Sequence, residues 1–69
     1  MTTKQAVETA RHHAMTTEKS MKSSALLCLD SADDCMERGE EEDARLCAIR
    51  SLRYSVGIFH SDYAAAGGK

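Results

Sequence analysis

A single glycine, Gly39, divides the chain into two segments and constrains the fold more than any other residue. Glycine takes the left-handed conformation that ends a helix, and Arg38 before it suits the negative C-terminal end of that helix. The acidic residues 40–43 that follow suit the positive N-terminal end of a second helix. This pattern predicts an all-α helical hairpin of two helices, Thr3–Arg38 and Glu40–Tyr63, with its turn at Gly39.

The first predicted helix is long, and Thr16 and Thr17 lie near its middle. At its start, Thr2 and Gln5 match a T-x-x-Q capping box. Small and apolar side chains keep a spacing of three and four through the two threonines, at Val7, Ala10, Ala14, Thr17, Met21, Ser24, Cys28, Ser31 and Cys35. This spacing favours one continuous helix, with a break at Thr16 and Thr17 as the alternative.

The second predicted helix indicates that the chain assembles with another copy. With 69 residues, the chain is near the size at which one domain has difficulty burying enough apolar surface. We expect one domain at 1–63 and a flexible tail at 64–69. The apolar arc of the second helix is much wider than the ~100° of an ordinary surface helix, so we predict a homodimeric four-helix bundle. The residues expected in its core and dimer interface are Leu46, Ile49, Leu52, Ser55, Val56 and Phe59.

Charge and composition limit the classes of partner. The chain has 9 basic and 11 acidic residues, and its net charge of −2 gives no overall attraction to nucleic acid or to an anionic membrane. Its apolar runs are too short to span a bilayer. Its three cysteines are an odd number with no signal peptide before them, which favours a reducing, cytoplasmic location.

Motifs for catalysis are missing from the sequence. It contains no glycine-rich phosphate loop, no G-x-S-x-G and no H-E-x-x-H. The acidic run at 40–43 is explained by its favourable place at a helix N-terminus. We therefore predict a non-enzymatic interaction or regulatory protein without a cofactor, which pairs with itself and binds another macromolecule.

The residues around the turn resemble one hairpin of a tetratricopeptide repeat. Successive spacings of seven, five and four residues separate the four small residues Ala32, Gly39, Ala44 and Ala48, as in that family. Val56 stands where the family has its closing proline. Because stable arrays need about three repeats and this match covers one, the resemblance implies a helical hairpin and no more.

Cys28, Cys35 and Cys47 surround the same turn, and the segment that carries them resembles the cysteine-rich four-helix-bundle copper-binding proteins. That resemblance implies neighbouring thiolates that share Cu(I), although Ser31 occupies the position of the middle cysteine. Thiolates suit Cu(I) or Zn, so metal binding by these three cysteines is the alternative function. On one helix, Cys28 and Cys35 lie about 10 Å apart, which argues against a closed site within one chain.

A second alternative is RNA binding through one face of the second helix. Arg50, Arg53 and His60 share a polar stripe there, and arginine suits phosphate groups. With only two arginines and no aromatic residues between them for base stacking, the stripe is more typical of an ordinary solvent-exposed face.

The histidines offer little as metal ligands within the predicted hairpin. Because His12 and His13 are neighbours, their side chains point about 100° apart on a helix. In two straight antiparallel helices, His60 lies about 9 Å along the axis from His13. We therefore expect exposed histidines and a metal site only if two subunits contribute.

Overall fold

The computed structural model describes residues 1–69 and contains four helices and no strand. The helices are α1 (Thr3–Thr16), α2 (Lys19–Glu37), α3 (Glu41–Ser55) and α4 (Ser61–Ala65). The predicted all-α class is confirmed. Helix α3 packs against both α2 and α1, and α1 also contacts α2, so the three longer helices form one bundle. None of the helices combines the length and the apolar character needed to cross a membrane.

The first predicted helix is interrupted at Thr16 and Thr17, so the prediction of one continuous helix is wrong and the alternative is the one observed. Thr17 has extended backbone, with φ −75° and ψ 165°. The Thr16 hydroxyl donates to backbone carbonyls one turn earlier, and such local bonds compete with helix continuation. The Thr17 hydroxyl donates to the carbonyl oxygen of Ser55 at 3.2 Å, which ties the break to the end of α3.

This break lets α1 return beside α2 and α3, and the result is a three-helix bundle within one chain. Helices α1 and α2 both pack against α3 and together bury Ala48 and Leu52 of its apolar arc, whereas Leu46 stays exposed. The accessible surface area is 4412 Å², close to the ~4300 Å² expected for a folded monomer of this mass. The core that a second copy was predicted to complete is therefore covered by the chain's own first helix.

Alanine dominates the core of this bundle. Eight alanines have no exposed surface: Ala6, Ala10, Ala14, Ala25, Ala32, Ala44, Ala48 and Ala66. Leu29 and Leu52 are the largest side chains that are fully buried, and they fill the space between the small ones. Alternating small and large residues let helices interdigitate closely, and here the small ones predominate.

The helix ends at Thr2 and Gly39 form as predicted. Thr2 and Gln5 make both bonds of the capping box that starts α1. Gly39 has φ 78°, and the amide of the following residue donates to the carbonyl oxygen of Cys35 at 2.8 Å. Helix α3 then begins with acidic residues in its first turn. These ends are local features, which explains why the sequence alone predicts them.

The second predicted helix ends early. Helix α3 stops at Ser55 because Gly57 takes a left-handed conformation, with φ 84°, and its amide donates to the carbonyl oxygen of Leu52. The predicted continuation to Tyr63 is therefore wrong. Like Gly39 at the end of α2, Gly57 ends α3 through its left-handed backbone conformation. Helix α4 then begins at Ser61 after a short connection.

The end of the chain lies against the bundle. Ala65 ends α4, and Ala66 is fully buried, where the sequence predicts a flexible tail from residue 64. The Arg45 guanidinium donates to the carbonyl oxygen of Ala66 at 3.0 Å and to that of Met1 at 2.8 Å. One side chain of α3 thus joins the two ends of the chain.

Candidate functional site

A cavity of about 580 Å³ opens at the surface between α2 and α3. We refer to it as the α2–α3 groove, and its lining residues are Met21, Cys28, Arg50, Arg53 and Tyr54. It is the single cavity of the chain. Two of the residues that the sequence singles out for contact with a macromolecule, Arg50 and Arg53, lie in it.

The charges of Arg50 and Arg53 are not neutralised within the chain. These two are the only arginines that make no hydrogen bond or ion pair with another residue of the protein. The other three have partners: Arg11 with Asp33 at 2.6 Å, Arg38 with Glu40 at 3.1 Å, and Arg45 with the carbonyl oxygens of Ala66 and Met1. The guanidinium groups of the groove are therefore available to an anionic group from outside.

Cys28 contributes an uncharged thiol to the groove. Burial raises the pKa of the Cys28 thiol, and the nearby Arg50 guanidinium lowers it by less. Because the net shift is upward, the thiol is protonated at neutral pH. A protonated thiol is a poor nucleophile and behaves as a small apolar group, so Cys28 adds to the apolar part of the lining.

The three cysteines do not form one site. Cys35 is buried, whereas Cys28 and Cys47 are half-buried. Burial raises the pKa of the Cys47 thiol, and the nearby Cys35 raises it further. The sulfurs of all three cysteines are not brought together as a group of potential metal ligands. Of the three cysteines, only Cys28 lines the α2–α3 groove.

A different group of potential ligands is brought together by α1 and α4. His13, His60 and Asp62 are the only residues of ligand type that form a group of three, with one ligand atom of each within 4.8 Å of the others. We refer to them as the His–His–Asp cluster. His13 lies in the last turn of α1, His60 is the N-cap of α4, and Asp62 is in the first turn of α4.

Hydrogen bonds orient the three side chains of this cluster. His13 Nε2 donates to Asp62 Oδ2 at 2.8 Å, and His60 Nδ1 lies 4.0 Å from the same oxygen. The two imidazole rings meet edge to face with centroids 5.0 Å apart. The hydrogen bond from His13 lowers the pKa of the Asp62 carboxyl, desolvation opposes this, and the charges of both histidines add to the lowering.

Sequence reasoning missed this cluster because it treated both helices as straight. It placed His60 on a stripe with Arg50 and Arg53, but those two lie in the α2–α3 groove and His60 lies beside His13. Between His13 and His60, the chain changes direction at Thr17 and again at Gly57. These two breaks in the predicted helices bring the two histidines together. Gly57 was the available signal, because a glycine at that place in a helical pattern indicates a helix end.

The residues predicted for the dimer interface have different environments. Leu52 is fully buried in the core of the single chain. Ile49, Ser55 and Val56 are half-buried, and the first and third pack against the core cluster. Leu46 is exposed to 51% and Phe59 to 97%, so only these two present a large apolar surface to a partner.

No protein-family model, no curated protein and no solved structure matches this chain.

Proposed function

We propose that this chain is a non-enzymatic interaction protein that binds an acidic, amphipathic segment of another protein in the α2–α3 groove. The observation that carries this proposal is that the only two arginines without a partner, Arg50 and Arg53, both line the only cavity. Carboxylates of the bound segment pair with these guanidinium groups. Its apolar side chains contact Met21 and Tyr54, which lie in the same groove.

A protein segment suits this groove better than RNA does. The groove offers two arginines and one aromatic ring, whereas single-stranded nucleic acid calls for a basic track with several stacking residues. The net charge of −2 also opposes the approach of a polyanion. Thiolate binding of Cu(I) or Zn has less support, because the three sulfurs do not converge.

Arg50→Glu is expected to weaken the binding of an acidic, amphipathic peptide at least about tenfold, or ~1.4 kcal/mol. The probe is a synthetic helical peptide with glutamates and leucines on one face, titrated into isotopically labelled protein and followed by amide chemical shifts. Lys4→Glu is the matched control, because Lys4 is exposed on α1 and the change in charge is the same. It should leave the affinity within about twofold, because Lys4 does not line the groove and the effect of exposed charges outside a site is screened.

The shift changes should map to the residues that line the groove. Equal weakening by Arg50→Glu and Lys4→Glu, or shift changes elsewhere, would overturn the proposal. A single-stranded RNA is titrated in parallel. If it binds more tightly than the peptide, with an affinity that falls steeply with salt, the groove serves RNA instead.

We also propose that two copies pair through the connection between α3 and α4, where Phe59 is exposed to 97% and Ile58 to 44%. A two-fold axis there places the same patch of both copies together. Burying each phenylalanine contributes roughly 1.5–3 kcal/mol. This pairing would give a homodimer, as the sequence predicts, but one of two separate helical bundles that meet through this connection, whereas the sequence predicts a single four-helix bundle joined through the second helix.

Sedimentation at micromolar concentration tests this pairing. The unmodified chain is expected to sediment as a dimer and Phe59→Asp as a monomer, because a charge at the centre of the interface has no partner. Leu46→Asp is the control at another exposed apolar position, and it should remain a dimer. A monomeric unmodified chain would remove the pairing and leave the groove proposal untouched.

A further inference from the structure

We propose that the His–His–Asp cluster is a binding site for a divalent transition metal ion, with Zn²⁺ the best match. Two imidazoles and one carboxylate are ligands that Zn²⁺ accepts, and three protein ligands leave a fourth position for water. His13, His60 and Asp62 come from opposite ends of the sequence. A metal ion held there would join the first helix to the last.

The distances within the cluster suit one ion. With bonds of about 2.0–2.2 Å to nitrogen and oxygen, ligand atoms around a tetrahedral Zn²⁺ are about 3.4 Å apart. The separation of His13 Nε2 from Asp62 Oδ2 is 2.8 Å, and that of His60 Nδ1 from the same oxygen is 4.0 Å. These values lie on either side of the required one. Shifts of roughly half an ångström bring these two separations to the required value, and the ligand nitrogens of His13 and His60 lie within 4.8 Å of each other.

Metal binding exchanges hydrogen bonds of the cluster for coordination bonds. His60 Nδ1 accepts the backbone amide of Asp62 at 3.0 Å, as the cap of α4. A metal ion at Nδ1 takes over that lone pair, and one at His13 Nε2 replaces the proton now donated to Asp62. The ring proton of neutral His13 moves from Nε2 to Nδ1 by exchange with solvent, so that the imidazole stays neutral and offers its Nε2 lone pair to the ion.

The framework around the cluster holds the ligands in place while the site stays open. Ala14, beside His13, is fully buried, and Tyr63, beside Asp62, is exposed to only 5%. The ligand side chains themselves keep between 20% and 38% of their surface exposed. The backbone is thus fixed by the core and the ligand atoms remain accessible to a hydrated ion. This combination is typical of sites that keep an open coordination position.

The binding of ZnCl₂ to the untagged chain, measured by calorimetry, tests the proposal directly. We expect one Zn²⁺ per chain, and His13→Gln and His60→Asn should each lower the affinity by at least ~10–100-fold. Asparagine at position 60 keeps a side-chain oxygen that can cap α4, so the second variant retains the helix end. His12→Gln is the matched control, because His12 is the neighbour of His13 and is not part of the cluster. It should bind Zn²⁺ as the unmodified chain does.

Two further measurements separate this site from the cysteines and from misfolding. Co²⁺ bound at the cluster should give visible ligand-field bands without the near-ultraviolet band of thiolate ligands. Zn²⁺ should raise the melting temperature of the unmodified chain and of His12→Gln, but not that of His13→Gln. Circular dichroism without metal confirms that each variant is folded. Absence of binding, equal binding by all variants, or a thiolate band would each overturn the assignment.

Discussion

Replacing Leu52 with alanine is expected to lower the free energy of unfolding by about 2–5 kcal/mol. Leu52 has no exposed surface and is one of the two largest fully buried side chains. Its neighbours in the core are mostly alanines, which are too short to fill the space it leaves. A chain of this length has a total stability of roughly 3–10 kcal/mol, so this single change removes a large part of it.

Urea unfolding followed by circular dichroism measures the effect, and Phe59→Ala is the control. The sequence assigns both residues to the same dimer core, but Phe59 is exposed to 97%. Its replacement should change the stability of the monomer by no more than about 0.5 kcal/mol. Similar losses for the two variants at low protein concentration would contradict the placement of these side chains. A loss for Phe59→Ala that grows with protein concentration would instead report pairing.

Replacing Ser51 with alanine is expected to raise the free energy of unfolding by about 1–2 kcal/mol. The Ser51 hydroxyl is fully buried and has no hydrogen-bond partner, an arrangement that costs about 1–3 kcal/mol. Alanine fits the same space without a polar atom, and its helix propensity is higher by up to ~0.7 kcal/mol. Two adjacent residues of α3, Ser51 and Leu52, thus respond to alanine in opposite directions.

Ser55→Ala is the matched control for this second prediction. The Ser55 hydroxyl donates to the carbonyl oxygen of Ser51 at 3.0 Å and is only half-buried. Its removal should leave the stability unchanged or slightly lower, within about 0.5 kcal/mol. Thermal unfolding of both variants beside the unmodified chain makes the comparison. A Ser51→Ala protein less stable than the Ser55→Ala protein would show that the Ser51 hydroxyl has a partner.

The helix ends show what sequence patterns can and cannot predict. The turn at Gly39 was predicted and the helix end at Gly57 was not, although both glycines have positive φ. Gly39 is followed by an acidic run that marks the start of a new helix, whereas Gly57 precedes apolar residues that resemble a continuing helix. The Thr16–Thr17 break was recognised only as an alternative, because the apolar spacing runs through it unchanged.

The two candidate sites also differ in how far the sequence alone predicts them. Arg50 and Arg53 are one helical turn apart on α3, so the sequence alone was enough to place them together. His13 and Asp62 are 49 positions apart and are connected through three changes of chain direction. An error at any one of these changes separates the two side chains, and the prediction from sequence contained two such errors.

By itself, the sequence determined the helical class, the capping box at Thr2 and the turn at Gly39, because each depends on residues within one or two turns of one another. Only the tertiary structure decided that α1 returns to cover α3, since a continuous and a broken helix satisfy the local spacing equally well. That choice rests on apolar burial between distant segments. The tertiary structure also decided that His13 contacts Asp62, and this contact forms the site for which we propose a metal ion.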